Sequence, residues 1–219
     1  GIPIFNYIID GIKKTTTFLG WEYVEDFDGK VISIGKKDGK YGILRVDGSC
    51  FLQPEYESIN IDWSKKSIST KQGDITTQIL FFKQKGCWSQ IPKGYTFCRR
   101  DYNLYVLHKG NKYAAINDNY EMIVPPFFDD IKVFDNIIIA SYKGKKGAIS
   151  REYITKEPYC DIMVPFKYDD VKEGEKGSFG HLQHLIIIKD NKQGIYSIKD
   201  RKVILEPTID SKHHLYTNT

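Results

Sequence analysis

The sequence predicts an all-β protein made of tandem three-stranded antiparallel meanders. Short β-branched and aromatic runs alternate with polar turns, which is typical of strands. Tyr (15) and Phe (12) are plentiful and Met (2) is scarce, which suits sheets better than a helical bundle. Prolines recur after every third run. We expect the meanders to stack as a β-solenoid or as a partial propeller-like repeat array.

The clearest meander is at residues 185–210. Its apolar runs, at 185–188, 194–198 and 202–205, are joined by the polar turns KDNK and KDR. Connections this short make neighbouring strands antiparallel. The run LIII at 185–188, like III at 137–139, is apolar on both strand faces. Such strands are expected to be covered on both sides, as stacking between two neighbouring repeats would do.

Four earlier repeats follow the same pattern, near 31–61, 79–98, 104–131 and 137–171. In the first of them, Asp47-Gly48 is a hairpin signal because both positions tolerate positive φ. The second repeat is degenerate, and the polar stretch 62–78 before it is either a long connection or an extra hairpin. In the fourth, residues 150–160 are an insertion in the second turn.

Prolines set the period of the repeat. Those at positions 54, 92, 126, 165 and 207 lie 34 to 42 residues apart. Periods of roughly 20 to 50 residues indicate solenoids, propellers or arrays, in which one repeat cannot bury its apolar face alone. Proline also ends the third strand and removes a donor that would otherwise template edge pairing. The aromatic residues that follow, Tyr56, Tyr95, Phe128 and Tyr168, are expected to fill the space between repeats.

The two ends of the chain depart from the pattern. Residues 1–30 predict an N-terminal cap or a partial repeat, with strands at 15–19 and 21–24 and a helix at 7–14 as the alternative. Residues 31–210 form the repeat domain and 211–219 a tail. Because the first residue is Gly rather than Met, a signal peptide would be out of view. A cytoplasmic location is slightly favoured, and export stays open.

Composition argues against several classes of protein. Charged residues make up 27% of the chain, hydrophobic residues 41%, and the mean hydropathy is −0.42, as in soluble globular proteins. No apolar run approaches the length of a membrane span. The net charge is +4, and lysines are interspersed with acidic residues. Without a dense basic face, the sequence predicts no nucleic-acid partner.

Cysteine and histidine spacing predicts no metal site and no cofactor. The cysteines at 50, 87, 98 and 160 contain no C-x-x-C pair. Reduced thiols in strands are the expected state, and two disulfides are the alternative for an exported chain. His181 and His184 have H-x-x-H spacing, but they precede a strand and no Glu follows as in a helical metalloprotease.

Two acidic pairs, Asp129-Asp130 and Asp169-Asp170, occupy the same place in two repeats. Paired carboxylates can bind Ca²⁺ or act as acid and base. Since these pairs repeat in register with the scaffold, we expect them to cap turns. There is no phosphate-binding loop motif. The sequence therefore predicts that the protein is not an enzyme; a hydrolase, the third option, would need an acid–base pair from separate repeats.

The stretch Asp38-Gly39-Lys40-Tyr41-Gly42-Ile43, then a hairpin and a strand ending in Pro-x-Tyr-(Asp/Glu)-x-Ile, resembles the WG (KWG) repeat of bacterial proteins. That repeat reads Gly-Lys-Trp-Gly, Asp-x-x-Gly, then Ile-x-Pro-x-x-Tyr-Asp. The resemblance covers about residues 31–210. The Trp position holds Tyr41, Tyr113, Lys146 and Gln193, and the Gly position holds Gly42, Ala114, Gly147 and Gly194. The resemblance implies a β-repeat scaffold without shared catalytic residues. Because Trp is missing, the resemblance does not extend to the detailed packing between repeats.

The irregular region 60–103 breaks the repeat and is the predicted binding surface. Its candidate residues are Trp63, Lys65, Lys66, Trp88, Arg99, Arg100 and Tyr102. These residue types are enriched in interface hot spots; the alternative is a loosened repeat with solvated loops. We expect non-catalytic binding of another protein. Size, scaffold and the lack of a catalytic signature point further to an immunity protein that neutralises a bacterial toxin. The alternative function is an exported or cell-surface module that binds glycan or peptide.

Overall fold

The computed structural model is all-β. It describes residues 1–27, 32–45, 49–62, 64–82, 87–151, 160–177 and 181–210, a few of them, such as Trp88, by backbone alone. Within these ranges there is no helix that is long and apolar enough to cross a membrane. The chain divides into two compact units, Gly1–Leu80 and Phe81–Thr219.

The first unit begins with a two-stranded hairpin of β1 (Ile4–Ile9) and β2 (Ile12–Thr17). Sheet S1 follows, with β3 (Glu22–Phe27), β4 (Ile32–Lys37), β5 (Lys40–Arg45) and β6 (Cys50–Tyr56) in chain order. Sheet S2 contains β7 (Ser58–Asp62), β8 (Ser67–Gln72), β9 (Ile75–Phe82) and β10 (Cys87–Gln90), also in chain order. The division between the two compact units falls within β9.

Two alternatives left open by the sequence are decided in this part of the chain. The helix considered at 7–14 is wrong, because Asp10 and Gly11 adopt φ of 52° and 75° and form a tight hairpin turn. Left-handed φ at both central positions matches the twist of the flanking strands. In the polar stretch 62–78, the extra hairpin is confirmed by the pairing of β8 with β9. The Asp47-Gly48 turn lies outside the described residues.

The second unit contains three four-stranded antiparallel sheets, again in chain order. Sheet S3 is β11 (Thr96–Asp101), β12 (Leu104–Lys109), β13 (Lys112–Asn117) and β14 (Met122–Phe128). Sheet S4 is β15 (Asp130–Val133), β16 (Ile137–Tyr142), β17 (Lys145–Ser150) and β18 (Ile162–Tyr168). Sheet S5 is β19 (Asp170–Glu173), β20 (His184–Lys189), β21 (Lys192–Ser197) and β22 (Lys202–Asp210). Most of the insertion at 150–160 lies outside the described residues.

The meanders predicted near 31–61, 104–131, 137–171 and 185–210 are present, and each has an additional strand before it. The bounds of the second repeat, predicted near 79–98, are wrong: β9 and β10 are the last two strands of S2, whose first two strands, β7 and β8, precede residue 79. A single residue, Asp129 or Asp169, separates the last strand of one sheet from the first strand of the next. The proline–aromatic segment of a repeat therefore lies at the end of one sheet, and the first strand of the next sheet follows it almost directly. The first strands β15 and β19 are only four residues long, and at least half of the side chains in each are charged. Their short, half-polar pattern gave too weak a strand signal on its own.

Sheet S4 is covered on both faces, as its fully apolar strand predicted. Ile138 and Ala140 of β16 pack with Val106 of S3, in a core layer between S3 and S4. Ile137 and Ile139 point to the opposite face and pack with Leu185 and Ile187 of S5. Because successive strand residues face opposite sides, one short run of isoleucines contributes to two hydrophobic layers.

In S4 and S5, a glycine in the third strand lies close to the backbone of the fourth strand. A Cβ atom built on Gly147 would lie 2.5 Å from the carbonyl oxygen of Val164, and one on Gly194 would lie 2.3 Å from that of Leu205. In both sheets the pairing register shifts at this point. In S4 and S5, glycine occupies this position because the fourth strand bulges against the third and leaves no room for a side chain; the equivalent residue of S3 is Ala114.

In the second unit, the carboxylate of one aspartate stabilises each connection from one sheet to the next. Asp169 accepts hydrogen bonds from Lys145 Nζ at 2.6 Å and from the backbone N–H of Asp190 at 2.8 Å. Asp129 pairs in the same way with Lys112 Nζ and with the backbone N–H of Lys143. In each case the lysine begins the third strand of one sheet, and the N–H belongs to the central hairpin turn of the next sheet. The expected capping role of Asp129 and Asp169 is confirmed.

This arrangement predicts a pH-dependent contribution to stability. The hydrogen bond from Lys145, with the backbone N–H of Asp190, lowers the pKa of Asp169 below its ordinary value of 3.8. Because folding lowers this pKa, the unfolded chain binds more protons, so the contribution is present above about pH 4 and is lost as pH falls further. We expect Asp169→Asn to lower Tm at neutral pH and to match the unsubstituted protein once the carboxyl is protonated.

Thermal denaturation followed by circular dichroism across pH checks this expectation. Asp74→Asn, at an exposed turn of the first unit, is the matched control and is expected to leave Tm unchanged. A Tm difference for Asp169→Asn that stays constant down to pH values below 3.8 would contradict the assigned role of the carboxylate.

Candidate functional site

The predicted binding residues of the first unit lie in the turn between β7 and β8. Trp63 lies outside the described residues. Lys65 donates its backbone N–H to Asp62 at 3.0 Å and places its Nζ 3.2 Å from the same carboxylate. The Ser64 hydroxyl adds a third contact, and together these lower the pKa of Asp62 to about 2. Lys66 is exposed and holds the turn with a φ of 49°.

The predicted residues of the second unit lie at β10, along β11 and just after it. Arg99 donates from Nε to Asp101 at 2.5 Å and from Nη2 to the carbonyl of Ile131 at 2.9 Å, which ties S3 to S4. Arg100 donates to Asn103 and Asp118 at 3.1 and 3.4 Å. Both arginines thus bond within the sheet stack. Trp88 belongs to β10, described by backbone alone.

Tyr102 differs from the two arginines, because 54% of its surface is exposed. Its backbone has a φ of 44°, and its carbonyl accepts a hydrogen bond from Arg151 Nη2. The backbone is held while the ring faces solvent. That these residues form one binding surface stays a prediction.

A cleft between the first strands of S4 and S5 is a candidate site that was not predicted from the sequence. This β15–β19 cleft has a volume of about 400 Å³, within the range of ligand pockets. Its apolar floor includes Ile139 and Val171. Its charged rim consists of Asp130, Lys132, Lys146, Asp170, Lys172 and Glu173. The signal in the sequence was the repeated pair Asp130-Ile131-Lys132 and Asp170-Val171-Lys172, in which charged residues alternate with a buried aliphatic one.

The rim charges balance and pair within the cleft. Lys146 Nζ lies 2.9 Å and Lys172 Nζ 3.6 Å from the Asp170 carboxylate, and Lys132 Nζ lies 4.0 Å from Glu173. These side chains are between 29% and 64% exposed. Ion pairs this exposed contribute little to stability. They can therefore exchange partners at low cost when a charged ligand enters.

The cleft is bordered by two edge strands. Strands β15 and β19 each pair on one side only, with β16 and β20. Among the strands that the structure describes, each therefore has one backbone edge without a neighbour, where an extended peptide can add by main-chain hydrogen bonds. Lysines on such edges, here Lys132 and Lys172, discourage indiscriminate pairing between sheets.

Reactive groups elsewhere in the described residues are held in structural contacts. His181 Nδ1 lies 2.9 Å from Asp135, and His184 Nδ1 lies 3.2 Å from Glu175. Cys50, Cys98 and Cys160 are free thiols, and burial raises the pKa of each. A raised pKa reduces the thiolate fraction on which nucleophilic reactivity depends. Over the described ranges, no group of three or more His, Cys, Asp or Glu side chains is arranged to hold a metal ion.

Comparisons with known proteins give no sequence match but several similar structures. No family model matches the chain, and no curated protein matches it. Kluyveromyces lactis Hsv2 is similar over 80% of this chain and 58% of its own, at 10% identity and a TM-score of 0.37. Hsv2 of Kluyvelomyces marxianus is similar over 84% and 62%, at 8% identity and a TM-score of 0.34. A functionally unknown protein of Desulfotomaculum acetoxidans is similar over 87% and 70%, at 8% identity and a TM-score of 0.27. The chain thus spans about three fifths of the length of the Hsv2 structures.

Proposed function

We propose that this protein is a non-catalytic repeat domain that binds another protein, and that an extended segment of that partner lies in the β15–β19 cleft. The observation that carries the proposal is the combination, in one cleft of about 400 Å³, of an apolar floor and two edge strands. Main-chain pairing along β15 or β19 would supply affinity, and the side-chain positions of the cleft would supply specificity.

The residues of the cleft favour binding over catalysis. Neither cysteine nor histidine is among its lining residues, and its hydroxyl group is that of Ser141. A nucleophile of this kind needs an adjacent base. The carboxylates of Asp170 and Glu173 are instead paired with lysines.

We further propose that the chain is a WG-type repeat protein and that its partner is a bacterial toxin, which the chain neutralises as an immunity protein. A repeat scaffold of this size and a cleft that takes a protein segment are compatible with that role. The test is a pull-down from the source cells with the chain as bait, followed by mass spectrometry. A tight one-to-one complex with the product of a neighbouring gene supports the toxin partner. Capture of unrelated proteins alone contradicts it.

The cleft itself is tested by charge reversal. We expect Lys132→Glu to weaken binding of the captured partner by about tenfold or more, because it places a second carboxylate beside Glu173 at the rim. Lys202→Glu, on the exposed side of β22, is the matched control and should bind as the unsubstituted chain does. Isothermal titration calorimetry measures both. Equal affinities for the two variants would show that the partner does not bind at the cleft.

A second candidate function is an exported or cell-surface module for glycan or peptide. The observation in its favour is Tyr142, which is 37% exposed and whose ring lies 6.0 Å from that of Phe166 and 6.3 Å from that of Phe128. An aromatic ring held in this way can stack on a sugar. Binding on a glycan array, together with failure of the pull-down, would favour this function.

A further inference from the structure

The hydrogen-bond pattern of β15 and β19 decides which backbone groups lie on their free edges. In an antiparallel pair, the backbone groups of successive residues alternate between the neighbouring strand and the open side. The backbone N–H of Phe134 bonds to β16, and that of Gly174 bonds to β20. Ile131 and Val171 each lie three residues earlier, in strands that pair without a register shift. The N–H and C=O groups of Ile131 and Val171 therefore face the free edges.

Each of these two residues already has a hydrogen-bond partner for its N–H group. Asp130 Oδ1 accepts from the N–H of Ile131, and Asp170 Oδ1 accepts from the N–H of Val171, both at 2.9 Å. The preceding aspartate thus satisfies the donor on the free edge. A partner that pairs with either strand at this residue can therefore bond only to its carbonyl oxygen.

The two carbonyl groups differ in what reaches them from the preceding sheet. Arg99 of S3 donates from Nη2 to the carbonyl of Ile131 at 2.9 Å, while its Nε donates to Asp101. Lys132 is the equivalent residue of S4, since Arg99 and Lys132 each stand opposite the third residue of the second strand of their sheet. Within the part of the chain that the structure describes, no side chain donates to the carbonyl of Val171.

The surroundings of Lys132 explain why it does not occupy that carbonyl. Two residues after Lys132 stands Phe134, where the sequence has Asp101 two residues after Arg99. Lys132 Nζ lies 5.1 Å from the centre of the Phe134 ring and 4.0 Å from the Glu173 carboxylate. A guanidinium group can bond two acceptors at once, whereas an ammonium group is one compact charge. Lys132 is therefore directed to the ring and to Glu173, and the carbonyl on β19 stays open.

We propose that the partner's extended segment pairs with β19 rather than β15, and that one of its main-chain N–H groups donates to the carbonyl of Val171. This pairing rests on the proposed function of the β15–β19 cleft, which Val171 lines. On β15, Arg99 already supplies the donor for the equivalent carbonyl. Lys132 is then the residue that keeps the position on β19 accessible. The segment has no proline at the residue that bonds Val171, because proline lacks the N–H group.

Linear peptides selected on the full chain from a phage-displayed random library are the probe. Those that Lys132→Glu weakens bind at the cleft, and isothermal titration calorimetry then measures them as synthetic peptides. We expect Lys132→Arg to weaken their binding about tenfold or more, because the guanidinium can reach the carbonyl of Val171 as Arg99 reaches that of Ile131. The positive charge is retained, so a loss cannot come from the rim charges. Lys172→Arg, the same exchange at the equivalent residue of S5, is the matched control and should not change the affinity.

N-methylation of the peptide backbone, one residue at a time, provides a second measurement. At one residue it should weaken binding to the unsubstituted chain and have a smaller effect on Lys132→Arg, in which the carbonyl is occupied. Equal affinities for Lys132→Arg and Lys172→Arg overturn the pairing with β19. So does tighter binding to Arg99→Lys, which frees the carbonyl on β15. If Lys132→Glu weakens none of the selected peptides, the cleft binds no extended segment, and the proposed function itself is contradicted together with this pairing.

Discussion

Replacing either Ile137 or Ile138 with alanine is expected to lower the free energy of unfolding by about 2–5 kcal/mol, the usual cost of truncating a fully buried aliphatic side chain. Both residues are 0% exposed. They are adjacent in β16, so their side chains lie in different layers, Ile137 toward S5 and Ile138 toward S3. Two losses of similar size are therefore the signature of a sheet that is covered on both faces.

Urea denaturation of the two single variants and of the double variant measures this. Because the two cavities open in separate layers, we expect the double variant to be less stable than either single variant. Ile204→Ala, at a position 49% exposed, is the control and should change stability by less than about 0.5 kcal/mol. If only one of the two buried isoleucines mattered, S4 would have one solvated face and the stacked arrangement would be wrong.

Replacing Gly194 with valine is expected to cost about 3 kcal/mol or more, at the upper end of overpacking effects. The added Cβ would meet the Leu205 carbonyl oxygen at 2.3 Å and the Glu206 carbonyl carbon at 2.7 Å. Both obstacles are backbone atoms of β22, so no side-chain rotation relieves the clash. The third and fourth strands of S5 would have to separate, with loss of the ladder between them.

Chemical denaturation gives the size of this loss, and amide hydrogen exchange shows whether β22 detaches first. Lys202→Val introduces the same side chain at an exposed position of β22 and should be close to neutral. Should Gly194→Val unfold at the same denaturant concentration as Lys202→Val, the bulge would not be a tight packing point, and another reason for the repeated glycine would be required.

The strands of this protein were largely predictable, because strand formation depends mainly on the residue types within each short run. The run 137–139 can bury both faces only between two other layers, and the structure places it there. In the run 185–188, only Leu185 and Ile187 are buried, and Ile186 and Ile188 are half-buried. The turns followed from residues that accept left-handed φ, such as Asp38-Gly39. The first strands of S4 and S5 were not predictable in this way, since β15 and β19 are four residues long and at least half of the side chains in each are charged.

The candidate site was harder to predict, because its residues come from different repeats. Arg99 and Arg100 were predicted as binding residues from their residue types, but their guanidinium groups bond to Ile131, Asp101 and Asp118. The β15–β19 cleft depends on Lys146 reaching Asp170, which lies in the next sheet. Residue type gave no information about such a distance.

By itself the sequence determined the all-β class, the turns and the repetition of a sheet along the chain. These depend on alternation, φ preference and spacing, which act over a few residues. Only the tertiary structure decided that S1 to S5 have four strands each and that single carboxylates stabilise the connections between sheets of the second unit. It also decided that three aliphatic residues of S5, Ile186, Ile195 and Leu205, are only half-buried. These features depend on contacts between sheets, and such contacts arise only after the chain has brought distant repeats together.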